Sequence, residues 1–160
     1  MLMSEKIKIF ALGGLDEEGR DCYVVEINDD IFVLDCGMSL PDKTIPGIDS
    51  LLPNVNYLIN NKNRVKAFII THGHDEVMGA LKYFYKKVPA PIYCTEPTAK
   101  FLVAQANLYK VKTLFNFVIV KPSSEAIIAG RKFKFFQTCH NMCYSIGVAI
   151  HTDRGNIVYT

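Results

Sequence analysis

Val65-Lys66-Ala67-Phe68-Ile69-Ile70-Thr71 runs straight into His72-Gly73-His74-Asp75-Glu76-Val77, and this junction decides how the chain is read. A short apolar run of this kind reads as a buried strand. It delivers two histidines, one residue apart, into the loop at its C-terminal end. Residues i and i+2 of an extended segment point the same way, so both imidazoles can face one ion. Neutral imidazole is a preferred ligand of zinc and similar metals. Motifs this short also recur by chance, and two unrelated histidines at a strand end remain the alternative. Only four histidines occur in the chain, so their clustering favours a site.

After this junction, Glu76 to Tyr85 carries Val77, Leu81 and Phe84 or Tyr85 at helical spacing and predicts a helix. Upstream, Ile7 to Leu12 is a short strand ending at Gly13-Gly14. Cys22 to Ile27 and Ile31 to Leu34 form a hairpin through the turn Asn28-Asp29-Asp30. Pro41 to Pro53 is irregular, and Asn56 to Asn60 reads as a short helix. Downstream, Pro91 to Cys94 is a strand, and Thr95 caps a helix through Tyr109 with Phe101, Leu102, Gln105 and Leu108 facing inward. The remaining strands are Phe117 to Val120, Lys132 to Gln137, Ser145 to His151 and Ile157 to Thr160, with turns at Gly130 and at Asp153-Arg154-Gly155-Asn156. Hairpins, then two β-α units, then hairpins again specify an α/β fold: a mixed sheet with helices on an outer face. The apolar strand at Thr160 lacks a following element to cover it, and the chain reads as part of a larger domain.

Composition excludes little. The chain has 160 residues, 49% of them hydrophobic, enough for one domain with a real core. A net charge of +2 does not argue for nucleic-acid binding by itself. The first residues lack the basic and apolar regions of a secretory signal, and no apolar stretch reaches the roughly 20 residues that span a bilayer. Five cysteines at irregular spacing read as reduced thiols of a cytoplasmic protein.

Asp35, His72, His74 and His140 each follow an apolar strand-like run, and strand ends at one edge of a sheet collect into one cleft. His140 would add a third imidazole, and three nitrogens leave an open position of the catalytic type. Other readings stand beside these. Asp35 before Gly37 also suits a turn, His140 also suits a loop, and Glu76 also suits the first turn of a helix. His151, inside a strand, reads as structural or surface. Cys139 and Cys143 flank His140 and read better as buried inert thiols than as ligands.

The histidine stretch resembles the His-x-His-x-Asp-His motif of the metallo-β-lactamase superfamily, with Glu76 at the aspartate and Val77 at the third histidine. The likeness extends along the chain. Ile9 to Leu15 with Glu18-Gly19, Phe32 to Gly37, Gly47-Ile48-Asp49, Leu52-Pro53, Ile70 to His74, Phe135 to His140 and Gly155 to Thr160 resemble, in order, segments of ribonuclease J, of the β-CASP branch. Asp75-Glu76 after the two histidines is more similar to the weakly active paralogue of the ribonuclease J pair.

The resemblance implies the αβ/βα metallo-β-lactamase fold, with residues 1–160 as its N-terminal half and the β-CASP and C-terminal domains absent. It implies 5′-exonuclease and endonuclease action on RNA, in processing and decay including rRNA processing, by a dinuclear metal site in the cytoplasm. His72, His74 and His140 would ligate the first metal, zinc above manganese or magnesium. Asp35 would support the ligand loops, and Glu76 would stand at the proton-transfer position. Val77 has no lone pair, so the second site is expected to be degraded and the 160-residue chain inactive alone. RNA and a ribonuclease J paralogue, in a homo- or hetero-oligomer, are the implied partners, and no membrane is. Two alternatives stay open: a non-catalytic subunit giving an assembly or RNA-binding surface, and a small-molecule metallohydrolase of the glyoxalase or lactamase kind.

Overall fold

The computed structural model describes residues 4–42 and 45–160. Met1 to Met3, part of the stretch read for a signal, and Lys43-Thr44, within the irregular 41–53 segment, lie outside the described residues. Among the described residues, β1 (Ile7–Gly13), β2 (Cys22–Ile27), β3 (Asp30–Leu34), β4 (Val65–Ile69), β5 (Ile92–Cys94) and β6 (Phe117–Ile119) form one sheet in chain order. The first three strands are antiparallel, and β3 to β6 are parallel. A second, antiparallel sheet has the order β10 (Gly155–Tyr159), β9 (Ile146–Thr152), β8 (Arg131–Gln137), β7 (Glu125–Ile128). The helices are α1 (Asn56–Asn60), α2 (Asp75–Met78), α3 (Leu81–Phe84) and α4 (Glu96–Leu108).

Alternation along the strands builds two cores. Val24, Val33, Phe68 and Ile70 face the helices and pack with Leu81, Phe84 and Leu102. Val25, Phe32 and Ile69 face the second sheet and pack with Phe133, Phe135, Val148 and Ile150. Both faces of the first sheet are therefore covered, which is why its strands read as almost continuous apolar runs. The expected mixed sheet with an outer helix layer is borne out, with a second sheet on its other face. Because β3 and β4 are parallel, Asp35 and His72 emerge at the same edge.

Four expectations need correction. The helix expected over Glu76 to Tyr85 is broken into α2 and α3 at Gly79-Ala80. Tertiary partners take the carbonyls that would have continued it: Glu76 O accepts from Asp21 N at 2.9 Å, and Val77 O accepts from Cys36 N at 2.6 Å. The amide of Ala80 donates to Cys36 O at 3.1 Å instead of continuing the helical ladder. Second, α4 turns small residues inward, namely Thr98, Ala99 and Ala106 around Leu102, while Phe101 and Leu108 are exposed. Third, β7 is a strand that sequence reading missed. Fourth, Cys139 and Cys143 are exposed free thiols, not buried ones.

Glu26 anchors an ion-pair cluster on the helix side. Its carboxylate is 4% exposed and accepts from Arg64 Nη2 at 2.7 Å, from Lys8 Nζ at 3.3 Å and from the Tyr57 hydroxyl. Burial pushes its pKa up, but the Tyr57, Arg64 and Lys8 donors outweigh it and hold the carboxyl down to about 2. A depressed native pKa stabilises the fold above the unfolded value and loses that contribution as pH falls through the native one. Glu26→Gln is thus expected to lower stability by about 2–3 kcal/mol at pH 7, with the difference from wild type shrinking between pH ~4.5 and ~2. Denaturant melts across that range check it, and a pH-independent difference would contradict the ion-pair account.

Candidate metal centre

His72 leaves β4 through Thr71, His74 opens α2, and His140 ends the segment after β8. Their ligand atoms all lie within 4.8 Å of one another, and the ring centroids are 4.1 to 5.2 Å apart. Burial, with His140 and His74 beside it, pushes the His72 pKa down to about 4, so this ring is neutral and offers a lone pair at pH 7. Three imidazoles so placed fit a borderline metal ion with one position open.

Asp35 is 1% exposed and sits at φ +56°, a left-handed conformation that Asp tolerates better than most residues. It accepts from Thr71 N at 2.8 Å, Thr71 Oγ1 at 3.0 Å and Tyr159 Oη at 2.8 Å. Burial pushes its carboxyl up to about 7, against the pull of Thr71 and Tyr159. The Thr71 hydroxyl also lies 2.9 Å from His72 Nδ1. A hydroxyl has one proton to give. Donated to Asp35, it leaves the oxygen to accept from His72 Nδ1–H, and His72 Nε2 is then the free ligand atom. Thr71 thereby sets the His72 tautomer, as partners behind metal-ligating histidines commonly do.

Thr71→Val keeps the shape and removes this link. It is expected to weaken metal binding by about 10–100-fold, with Thr71→Ser restoring it. Chelator competition measures the affinity, and nitrogen NMR of the ring reports the tautomer. Unchanged affinity in Thr71→Val would remove this role.

Glu76 is half exposed, and its carboxylate lies 3.5 Å from His74 Nδ1. It lies beside His74 and outside the three converging ligands. Val77 is 4% exposed and lines the same cleft, of about 290 Å³, as Asp21, Asp35, His72, His140 and Tyr159. His140 Nδ1 accepts from Met142 N–H at 3.1 Å. Cys139, Cys143 and His151 are outside the converging group. Sequence reading missed Thr71 and Tyr159; the first is signalled only by its place before His72, and the second by nothing local. It also missed Lys82, a buried lysine that donates to Gly79 O at 2.9 Å and lies 4.0 Å from Asp75, beneath the histidine loop.

The chain matches the metallo-beta-lactamase superfamily over residues 15–160. It is 41% identical over 157 residues to Ribonuclease J 2 of Streptococcus pyogenes, covering 96% of this chain and 28% of that protein. It is 38% identical to Ribonuclease J2 of Bacillus subtilis, covering 98% and 28%. The chain thus spans little more than a quarter of these relatives' length. Among solved structures, the metallo-beta-lactamase fold protein YhfI from Bacillus subtilis superimposes with a TM-score of 0.67 at 14% identity, covering 99% of this chain and 62% of that one. Human tRNase Z, short form, gives 0.59 at 15% identity, covering 94% and 67%. With this fold and a histidine cluster at its strand edge, the chain belongs to the metallo-beta-lactamase superfamily.

Proposed function

We propose that the chain serves a ribonuclease J-type role, metal-dependent hydrolysis of RNA in processing and decay, with one metal position kept and the second degraded. The observation that carries this is the convergence of His72, His74 and His140 beside a buried Val77. His72, His74 and His140 hold the ion, and zinc suits three imidazoles better than manganese or magnesium does. When bound, such an ion supplies Lewis acidity and lowers the pKa of water. Thr71 and Asp35 hold the His72 ring, and Glu76, beside His74, would stand at the proton-transfer position. Val77 fills with an alkyl group a position where a second ion would need a donor. Glu17, Glu18, Asp21, Asp75 and Glu76 line the adjoining cleft, and although Arg20 pairs with Glu17 the remaining negative charge raises the local cation concentration.

On this reading RNA is the substrate of the longer proteins, a ribonuclease J paralogue is the oligomeric partner, and the compartment is the cytoplasm, in keeping with five free cysteines. No helix among the described residues is long and apolar enough to cross a membrane. The degraded second position favours the non-catalytic subunit as the second reading.

Elemental mass spectrometry on protein purified without chelator tests the proposal. One metal per chain is expected, with affinity falling on the order of a hundredfold or more in His72→Ala, because even residues behind the ligands cost 10–100-fold. Absence of metal in the unmodified protein would overturn the site. RNA cleavage by the 160-residue chain is expected not to exceed that of His74→Ala, and cleavage lost in that variant would overturn the degraded second position.

A further inference from the structure

At the opposite end of the parallel strands from the histidines, the C-terminal end of α4 and the segment leading into β6 enclose an open groove of about 840 Å³. Its lining includes exposed aliphatic side chains: Val103 is 42% exposed and Leu114 is 96% exposed, with Val111 between them in the chain. A leucine left this bare is at odds with burial, and contiguous exposed apolar surface marks interaction sites. The rim carries Lys86, Lys110 and Lys112, from three separate positions in the chain, and no acidic residue lines the groove.

The sequence shows the same asymmetry. Between Val77 and Ser124 there are seven lysines and one acidic residue, Glu96. Glu96 is taken by Lys100 at 2.7 Å, at the first turn of the 13-residue α4 and so at the far end of that helix from the groove. The small net charge of the whole chain hides this local excess.

We infer that the groove docks a segment of a partner protein that is acidic and carries apolar anchor side chains. The lysines meet its carboxylates, and Val103, Val111 and Leu114 take its anchors. RNA suits the groove less well. Base binding without sequence preference relies on exposed rings for stacking. Here Tyr85 is buried with its hydroxyl donated to Ala90 O at 2.7 Å, and Phe115 packs on Tyr85 and Phe117. No arginine lines the groove.

A random dodecapeptide library displayed on phage and selected on this chain provides the probe. Enriched peptides are expected to carry net negative charge with at least two large apolar residues. Synthetic copies should bind at least tenfold more weakly to Lys86→Glu/Lys112→Glu and, separately, to Leu114→Ser. Binding should weaken as salt rises, and amide shifts should concentrate at Val103, Ala106 and residues 111–115. All three substituted side chains are exposed, so melting temperatures should stay unchanged. Failure to enrich acidic peptides, or equal binding to both variants, overturns the inference. Displacement of the peptides by a twelve-nucleotide poly(U) RNA that itself shifts the same amides would instead make the groove an RNA surface.

Discussion

Asp35→Ala is expected to lower the stability of the chain by about 3–5 kcal/mol, because one substitution removes the acceptor for three buried or half-buried donors. Thr71 N–H, the Thr71 hydroxyl and the Tyr159 hydroxyl all end on this carboxylate. Each donor left without a partner costs roughly 1–3 kcal/mol, and the Thr71 oxygen keeps only its His72 contact. Alanine at φ +56° adds about 1 kcal/mol of backbone cost. For a chain of this size the melting temperature should fall by about 10 °C. Asp35→Asn retains one acceptor oxygen and should fall between the two. Calorimetry of the three proteins checks the order. A loss below about 1 kcal/mol in Asp35→Ala would mean that the carboxylate does not hold β4's exit to β10. Metal affinity should fall with it, since Asp35 reaches His72 through Thr71.

Much of this arrangement was legible in the sequence because its cause is local. Two histidines at i and i+2 after a strand arrive at one sheet edge together, although the chain bends at residues 72 and 73 before His74 opens α2, and strands ending at Asp35 and Thr71 share that edge once the sheet is parallel there. The near-continuous apolar runs of β2 to β4 likewise mark buried strands, but the second sheet that covers their other face was not expected from them. What could not be read depends on partners far away in the chain. Tyr159 reaches Asp35 across 124 positions. The break between α2 and α3 arises because Asp21 and Cys36 capture carbonyls of residues 76 and 77, which no periodicity reveals. Helical spacing in α4 correctly located a helix but not its inward face. Ala99 and Ala106 sit there because the helix lies close to the sheet, while Phe101 is turned outward over Gly73. The run Glu125-Ala126-Ile127-Ile128 is four residues long between turn residues, and its pairing with β8 alone makes it a strand.

Gly37→Ala is the substitution expected to do the greatest damage. A β-carbon at this position would stand 1.5 Å from Glu76 O, 2.0 Å from Glu76 C and 2.7 Å from Val77 N. These are backbone atoms, so no side-chain rotation relieves the clash. The two segments are also laced together on either side of it. Cys36 N donates to Val77 O, Met38 N to Asp75 O at 2.8 Å, Gly37 N to Asp21 O at 2.8 Å, and Asp21 N to Glu76 O. Room for one methyl group therefore requires several of these bonds to open, at about 1 kcal/mol each, beyond the 1–3 kcal/mol of overpacking. A total near 5 kcal/mol approaches the whole stability of many domains, and soluble yield should collapse. Gly130→Ala provides the contrast. Its φ is +76°, but nothing lies within 4 Å of the added carbon, so about 1 kcal/mol of backbone cost is all that is expected. Melting temperatures of the two variants separate a steric cause from a conformational one, and equal losses would refute the close approach at Gly37. Where Gly37→Ala does fold, residues 75–77 have moved. His74 immediately precedes them, so metal affinity should drop in that variant and stay at the wild-type value in Gly130→Ala.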